Sequence, residues 1–94
     1  MAHQVYECDE EKRRSNLAKH GVDFQDAVRV FQDPARIERL DDRFEYGEER
    51  LQIIGRVQDQ VPFVACTEGP DTCRIISARK ATRREQEAYD THRY

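Results

Sequence analysis

The chain has 94 residues, of which 37% are apolar and 37% are charged, and its formal net charge is −3. A chain of this length forms one domain with a small core, and it has no room for a second. The longest apolar run, residues 61–66, is too short to span a membrane, and the amino-terminal stretch lacks the apolar segment of a secretion signal. We therefore expect a cytoplasmic protein that does not bind membranes.

Cysteines and histidines are few and dispersed. The three cysteines, Cys8, Cys66 and Cys73, are odd in number and have no CxxC spacing. The three histidines are equally scattered along the chain. These patterns predict reduced thiols, two of them buried in strands, and neither a metal site nor a cofactor.

The first half of the chain predicts one strand and two helices. Residues 4–8 favour a short strand, after which Asp9 is suited to cap a first helix that Gly21 ends in the left-handed conformation. The only apolar anchors of this helix are Leu17 and Ala18, so we expect it to lie on the surface.

A second helix follows, which Asp23 caps and Pro34 ends. Its apolar side chains recur at helical spacing and should face a sheet. They are Phe24, Ala27, Val28 and Phe31.

Four strands and a last helix are predicted in the second half. The strands occupy residues 35–40, 49–57, 61–67 and 73–79, and their short connections imply an antiparallel meander. Thr82 and Glu85 have the spacing of a capping box, which begins the last helix. The order β-α-α-β-β-β-β-α indicates an α+β domain whose helices pack on one face of a twisted antiparallel sheet.

Cations concentrate near the carboxyl end of this acidic chain. Residues 74–94 contain six Lys or Arg and three acids, whereas the remainder carries −6. Arg79, Lys80, Arg83 and Arg84 surround a strand end and a first helical turn, where backbone amides also attract anions. The cluster suits a phosphate or a carboxylate, although solvated surface arginines give the same pattern.

Two further arginines are placed by the strand period. Arg50 and Arg56 fall on the same face of the strand at 49–57, because alternate residues share a face. We expect them to lie near Arg74, Arg79 and Lys80 on a sheet face that the helices leave open.

Several stretches together resemble the BrnT toxins of bacterial type II toxin–antitoxin systems, within the broader RelE/ParE-like group. The resemblance covers nearly the whole chain, and its carboxyl-terminal segment is the most specific part. The matching residues are Asp9, Lys12 and Asn16, then residues 19–24, Ala27, residues 30–34, residues 47–50, Ile54, Gly55, residues 74–85 and Tyr89.

The resemblance implies a small ribonuclease toxin with a RelE-like fold. It also implies a ribbon-helix-helix, BrnA-like antitoxin, with which the toxin forms a complex that represses its own promoter. Operator DNA would then contact the toxin only indirectly, through the antitoxin, and the free toxin is expected to be a monomer. The family usually has an aromatic residue where Cys8 stands.

Cleavage of RNA without a metal requires a general base, a general acid and cations that stabilise the phosphorane. Arginine suits the last role because its guanidinium binds phosphate bidentately. The candidates for that role are Arg50, Arg56, Arg79 and Arg83, and Arg74 and Arg84 are expected to join Arg56 in binding the RNA backbone.

Proton transfer is assigned first to His20, since imidazole titrates near neutral pH. Glu49, Tyr89 and Lys80 are the alternates. A histidine at a helix carboxyl terminus is also favoured by the dipole alone, and Tyr89 on the last helix also suits packing against the sheet.

Two function classes remain open on the sequence. One is the ribonuclease toxin. The other is a non-catalytic binding module that docks an antitoxin or a DNA-binding partner through its basic face.

Overall fold

The computed structural model describes residues 5–42, 49–69 and 71–93, and its elements follow the predicted order. The strands are β1 (Val5–Glu7), β2 (Ile37–Leu40), β3 (Arg50–Ile54), β4 (Pro62–Glu68) and β5 (Thr72–Lys80). The helices are α1 (Glu10–His20), α2 (Phe24–Ala27) and α3 (Arg83–Thr91), and a 3₁₀ helix, Val28–Gln32, continues α2. The α+β class is confirmed.

The strands form one sheet in the order β1-β5-β4-β3-β2. Strands β2 to β5 are antiparallel neighbours, as their short connections predict. β1 pairs in parallel with the start of β5, with Tyr6 opposite Cys73. The sheet is thus mixed rather than wholly antiparallel, because β1 runs parallel to β5, the last strand of the chain.

The two faces of the sheet bury different clusters. Ile53 and Ile54 are neighbours in β3 and point to opposite faces. The larger cluster packs beneath α2 and the 3₁₀ helix and includes Phe24, Ala27, Val30, Phe31, Ile53, Val64, Cys66, Cys73, Ile75 and Ala78. The smaller cluster lies on the other face and consists of Ile37, Ile54, Val61, Phe63, Ala81 and Tyr89.

The last helix therefore departs from the predicted arrangement. We expected all helices on one face, whereas α3 packs with Ile54 and Phe63 on the face opposite α2. It is placed there because Tyr89 of α3 and Ala81, just before it, are buried against that face. α3 covers one end of this face, and no other helix of the described residues packs on it.

Helix α1 is anchored by a polar residue. Asn16 is 8% exposed, whereas Leu17, which the sequence favours as an anchor, is 43% exposed. The Asn16 carboxamide donates to the Ala78 carbonyl at 2.7 Å and accepts from the Ala78 amide at 3.2 Å. Its Nδ2 also donates to Val22 O at 3.0 Å. β1 pairs only with residues 72–74 of β5. Further along the same edge of β5, the Asn16 side chain forms the two hydrogen bonds with Ala78 that a neighbouring strand would otherwise form.

The predicted caps are present. Asp9 accepts from the amides of Glu11 and Lys12, and Gly21 has a φ of 73° in the left-handed region. Asp23 accepts from the Gln25 amide and also binds Arg13, whose guanidinium lowers the Asp23 pKa to about 2. Cys66 and Cys73 are buried free thiols, as predicted.

Asp33, at the end of the 3₁₀ helix, ties three segments together. Its Oδ2 accepts from the Tyr89 hydroxyl at 2.6 Å and from the Arg56 amide at 2.7 Å, and its Oδ1 accepts from the Ala35 amide at 2.8 Å. Burial alone would raise the Asp33 pKa, but these hydrogen bonds outweigh it, so the pKa lies below its ordinary value. The carboxylate thereby fixes α3 against the sheet.

Within the described residues, no helix combines the length and the apolar character needed to span a bilayer.

The first prediction concerns Asn16. Asn16→Ala should lower the free energy of unfolding by about 1–3 kcal/mol, because it removes the partner of buried backbone groups at Ala78. Leu17→Ala should cost less than about 1 kcal/mol, since that side chain is largely solvated. Urea denaturation of both variants measures the difference, and the opposite order would contradict the assignment of Asn16 as the anchor.

A second prediction concerns acid stability. The pKa of Asp33 is lower in the folded state than in the unfolded chain, where it is about 4. The Asp33 carboxylate therefore stabilises the fold at pH values above the unfolded-state pKa. This contribution is lost as the pH falls through the folded-state pKa. Asp33→Asn should therefore be less stable than the parent at pH 7, and the gap should narrow at acidic pH. Urea unfolding from pH 7 downwards tests this, with exposed Asp90→Asn as the control. A gap independent of pH would contradict it.

Candidate functional site

A β-bulge in β5 reverses the alternation of its side chains. Cys73 and Ile75 face the larger core cluster and Arg74 faces away. The register with β4 then shifts from Cys66–Ile75 to Ala65–Ser77, so Ile76 has no partner in β4. Beyond this extra residue Ala78 enters the core, while Ser77 and Arg79 face the same side as Arg74.

The consequence for Arg79 is large. Strict alternation from Cys73 would place Arg79 on the core side, where a guanidinium is costly to bury. The bulge instead places Arg74 and Arg79, five positions apart, on one side of the strand.

We call this side of the sheet, where α3 does not cover it, the open face. Residues opposite one another in register form rows across the strands. The first row is Glu7, Arg74, Thr67 and Arg50, and the second is Ser77, Ala65, Gln52 and Arg39. The third row, Arg79, Phe63, Ile54 and Ile37, runs under α3. Arginines from β2, β3 and β5 therefore share one face.

A groove of about 340 Å³ lies on the open face. Its polar lining consists of Arg39, Asp41, Arg50, Gln52, Ser77, Arg79 and Glu85, and Phe63, Ala65 and Ile76 complete it. Arg39 Nε donates to Gln52 Oε1 at 2.9 Å, which orders one wall. The small side chains of Ala65 and Ser77 lie side by side on adjacent strands.

Arg79 is held firmly at the other wall. Its Nη1 and Nη2 donate to the two oxygens of Glu85 at 2.7 and 2.9 Å, and its guanidinium carbon lies 4.1 Å from the Phe63 ring centroid. The hydrogen bonds from Arg79 lower the Glu85 pKa, with a further contribution from the Thr82 amide, so Glu85 is ionised at neutral pH. Among the described residues, the groove thus carries three guanidiniums and two carboxylates.

Apart from Arg56, the predicted cations divide into two sets. Arg50 and Arg79 line the groove, and Arg74 lies in the same row as Arg50, one strand beyond Thr67. Lys80, Arg83 and Arg84 are exposed at the end of β5 and in the first turn of α3. They do not line the groove.

Arg56 does not line the groove with Arg50. The strand predicted over residues 49–57 ends at Ile54, so the period of two does not extend to Arg56. Its amide is bound to Asp33, and its side chain lines a different cavity, of about 220 Å³, with Arg29.

The residues predicted to transfer protons lie outside the groove. Tyr89 is 7% exposed and donates its hydroxyl to Asp33. Burial, and secondly this hydrogen bond, raise the Tyr89 pKa. His20 is exposed at the end of α1, and Glu49 is exposed just before β3. The hydroxyl of Tyr89 is engaged with Asp33, and this hydrogen bond fixes α3.

Five polar residues of the described groove lining were not singled out by the sequence as site residues. The register across the strands must be known before four of them can be recognised as groove residues. These four are Arg39, Asp41, Gln52 and Ser77. Glu85 is visible in the sequence, but as the last position of a capping box rather than as a partner of Arg79.

The chemistry available in the groove is that of anion binding and charge stabilisation. Guanidiniums bind phosphate oxygens through bidentate hydrogen bonds, and carboxylates can accept a proton. Among the described residues, no three His, Cys, Asp or Glu side chains are grouped so as to hold a metal ion.

Comparison with known proteins adds the family. Residues 8–85 match the family model described as the ribonuclease toxin, BrnT, of type II toxin–antitoxin systems. The matched segment includes every described residue that lines the groove. A search of curated proteins found no match. Because the family model covers most of the chain, the protein belongs to the BrnT family of ribonuclease toxins of type II toxin–antitoxin systems.

Proposed function

We propose that this toxin cleaves RNA in the groove of the open face, without a metal ion, and thereby inhibits translation. The observation that carries the proposal is the convergence of Arg39, Arg50 and Arg79, from three strands, beside the carboxylates of Asp41 and Glu85. The chain as a whole is acidic, so its attraction to RNA depends on this local concentration of guanidiniums.

The reaction is an internal transfer at phosphorus. The 2′-hydroxyl oxygen attacks the adjacent phosphorus, the bond from phosphorus to the 5′-oxygen breaks, and a 2′,3′-cyclic phosphate forms. Arg50 and Arg79 stabilise the additional negative charge of the phosphorane. This reaction changes no oxidation state and therefore needs neither an oxidant nor a cofactor.

The proton transfers are assigned from the groove lining. Glu85 is committed to Arg79 and the Thr82 amide, and its depressed pKa makes it a weak base. Asp41 is the second carboxylate among the described residues of the groove, and we assign it to accept the proton of the 2′-hydroxyl. Water returns a proton to the 5′-oxygen.

The antitoxin belongs to the same proposal. A ribbon-helix-helix partner would cover the open face with an acidic segment, block the groove and carry the toxin to operator DNA, which gives autorepression. The free toxin is then a monomer, and assembly comes from dimerisation of the antitoxin.

A third prediction tests catalysis. Arg50→Ala should reduce kcat/KM for RNA cleavage by on the order of 100-fold, because it removes a cation that stabilises the transition state. Arg14→Ala, on the exposed side of α1, should cleave as the parent does. The assay uses purified toxin and RNA in EDTA, with the thermal midpoint of each variant recorded.

Two outcomes of that assay count against the proposal. Loss of parental cleavage in EDTA would show that a metal is required. Tight RNA binding by the parent with no cleavage would instead support the non-catalytic binding module.

A fourth prediction tests the antitoxin surface. The double variant Arg50→Ala, Arg74→Ala should bind the antitoxin with a slower association rate and a weaker dependence on salt, because exposed charges steer encounter. Stopped-flow measurements at low and high ionic strength give both quantities, and Arg14→Ala is the control. Unchanged association of the double variant would place the antitoxin on another surface.

A further inference from the structure

We propose that Glu85 is a positioning residue for RNA cleavage, and that it acts by holding the guanidinium of Arg79 in the orientation that contacts the scissile phosphate. The inference rests on the proposed function of the groove. It assigns Glu85 a role beyond the capping of α3, which is the role that the sequence indicates.

The first support is the geometry of the pair. The two carboxylate oxygens of Glu85 meet the two terminal nitrogens of Arg79 in parallel, at 2.7 and 2.9 Å. The Glu85 side chain is 19% exposed and that of Arg79 is 35% exposed. A bidentate pair at a partly buried site fixes the plane of the guanidinium as well as its position.

Two further contacts of Arg79 restrict the same plane. The guanidinium lies over the Phe63 ring at 4.1 Å, and its Nη1 also donates to Lys80 O at 3.3 Å. An arginine side chain otherwise loses considerable rotamer freedom when it binds a ligand. In this toxin that freedom is already restricted before RNA arrives, which favours stabilisation of the transition state.

The carboxylate itself is positioned by the start of α3. Glu85 Oε1 accepts from the Thr82 amide at 2.8 Å, while Thr82 Oγ1 accepts from the Glu85 amide at 3.2 Å. The capping box therefore links the first turn of α3 to the groove wall. A purely structural role would be complete with this box, so an experiment must separate the box from the ion pair.

Glu85→Gln makes that separation. Glutamine is also accepted in capping boxes, because its carbonyl oxygen can bind the Thr82 amide. Its amide nitrogen, however, cannot accept a hydrogen bond from Arg79. We expect kcat to fall on the order of 10- to 100-fold through misplacement of the guanidinium, while KM changes by no more than about threefold.

Two matched variants serve as controls. Glu87→Gln makes the same change at an exposed position of α3 and should leave kcat unchanged. Thr82→Ala removes the side-chain cap but leaves the carboxylate beside Arg79, so it should lower the thermal midpoint without a comparable loss of kcat. Activity is measured well below every midpoint.

The outcomes are distinct. A parental kcat in Glu85→Gln, or an equal loss of kcat in Thr82→Ala, would overturn the positioning role. Glu85→Asp provides a second test if glutamine prevents folding, since it keeps the charge but withdraws the carboxylate, and it too should lose kcat. Failure of the parent to cleave RNA would instead remove the proposed function, and this inference with it.

Discussion

The extra residue in β5 is the constraint on which the rest of the site depends. In a strand that pairs regularly, alternate side chains point to the same face. In β5, however, Cys73 and Ile75 of the first half and Ala78 of the second half are all buried in the larger core cluster. Regular alternation would place residues 73, 75 and 77 on one face and Ala78 on the other, so it cannot bury all three core residues. Unpaired Ile76 resolves the conflict, and the same shift delivers Ser77 and Arg79 to the open face. Packing and the proposed chemistry are thus set by one irregularity of the hydrogen-bond ladder.

Helix α3 turns that face into a groove. Tyr89 and Ala81 bury one end of the face, and the bond from Tyr89 to Asp33 fixes the helix to the end of the 3₁₀ helix. The first turn of α3 then presents Glu85 to Arg79. The residues that hold α3 in place therefore also determine where one wall of the groove lies. A short last helix can in this way form the boundary of a site that is built mainly from strands.

Local signals in the sequence predicted local structure well, and non-local pairing accounts for what they missed. Asp9, Asp23 and Thr82 were assigned as caps because capping depends on residues within one turn, and all three are caps in the structure. Asn16 was not assigned as an anchor because its partner, Ala78, lies 62 positions away. The sequence does not show that β3 ends at Ile54, so it does not predict that Arg56 lines a second cavity beside Arg29. The side on which Arg79 lies likewise depends on a bulge that strand propensity does not reveal.

The most direct test of the central claim is to map where RNA binds. Backbone and arginine side-chain NMR signals can be followed while the toxin is titrated with a short RNA that carries a 2′-deoxy nucleotide at the cleavage position, which prevents reaction. We predict that the largest shift changes occur at Arg50, Ala65, Ser77 and Arg79, on the open face. Changes confined to the cavity beside Arg29 and Arg56, with the open face unaffected, would contradict the account.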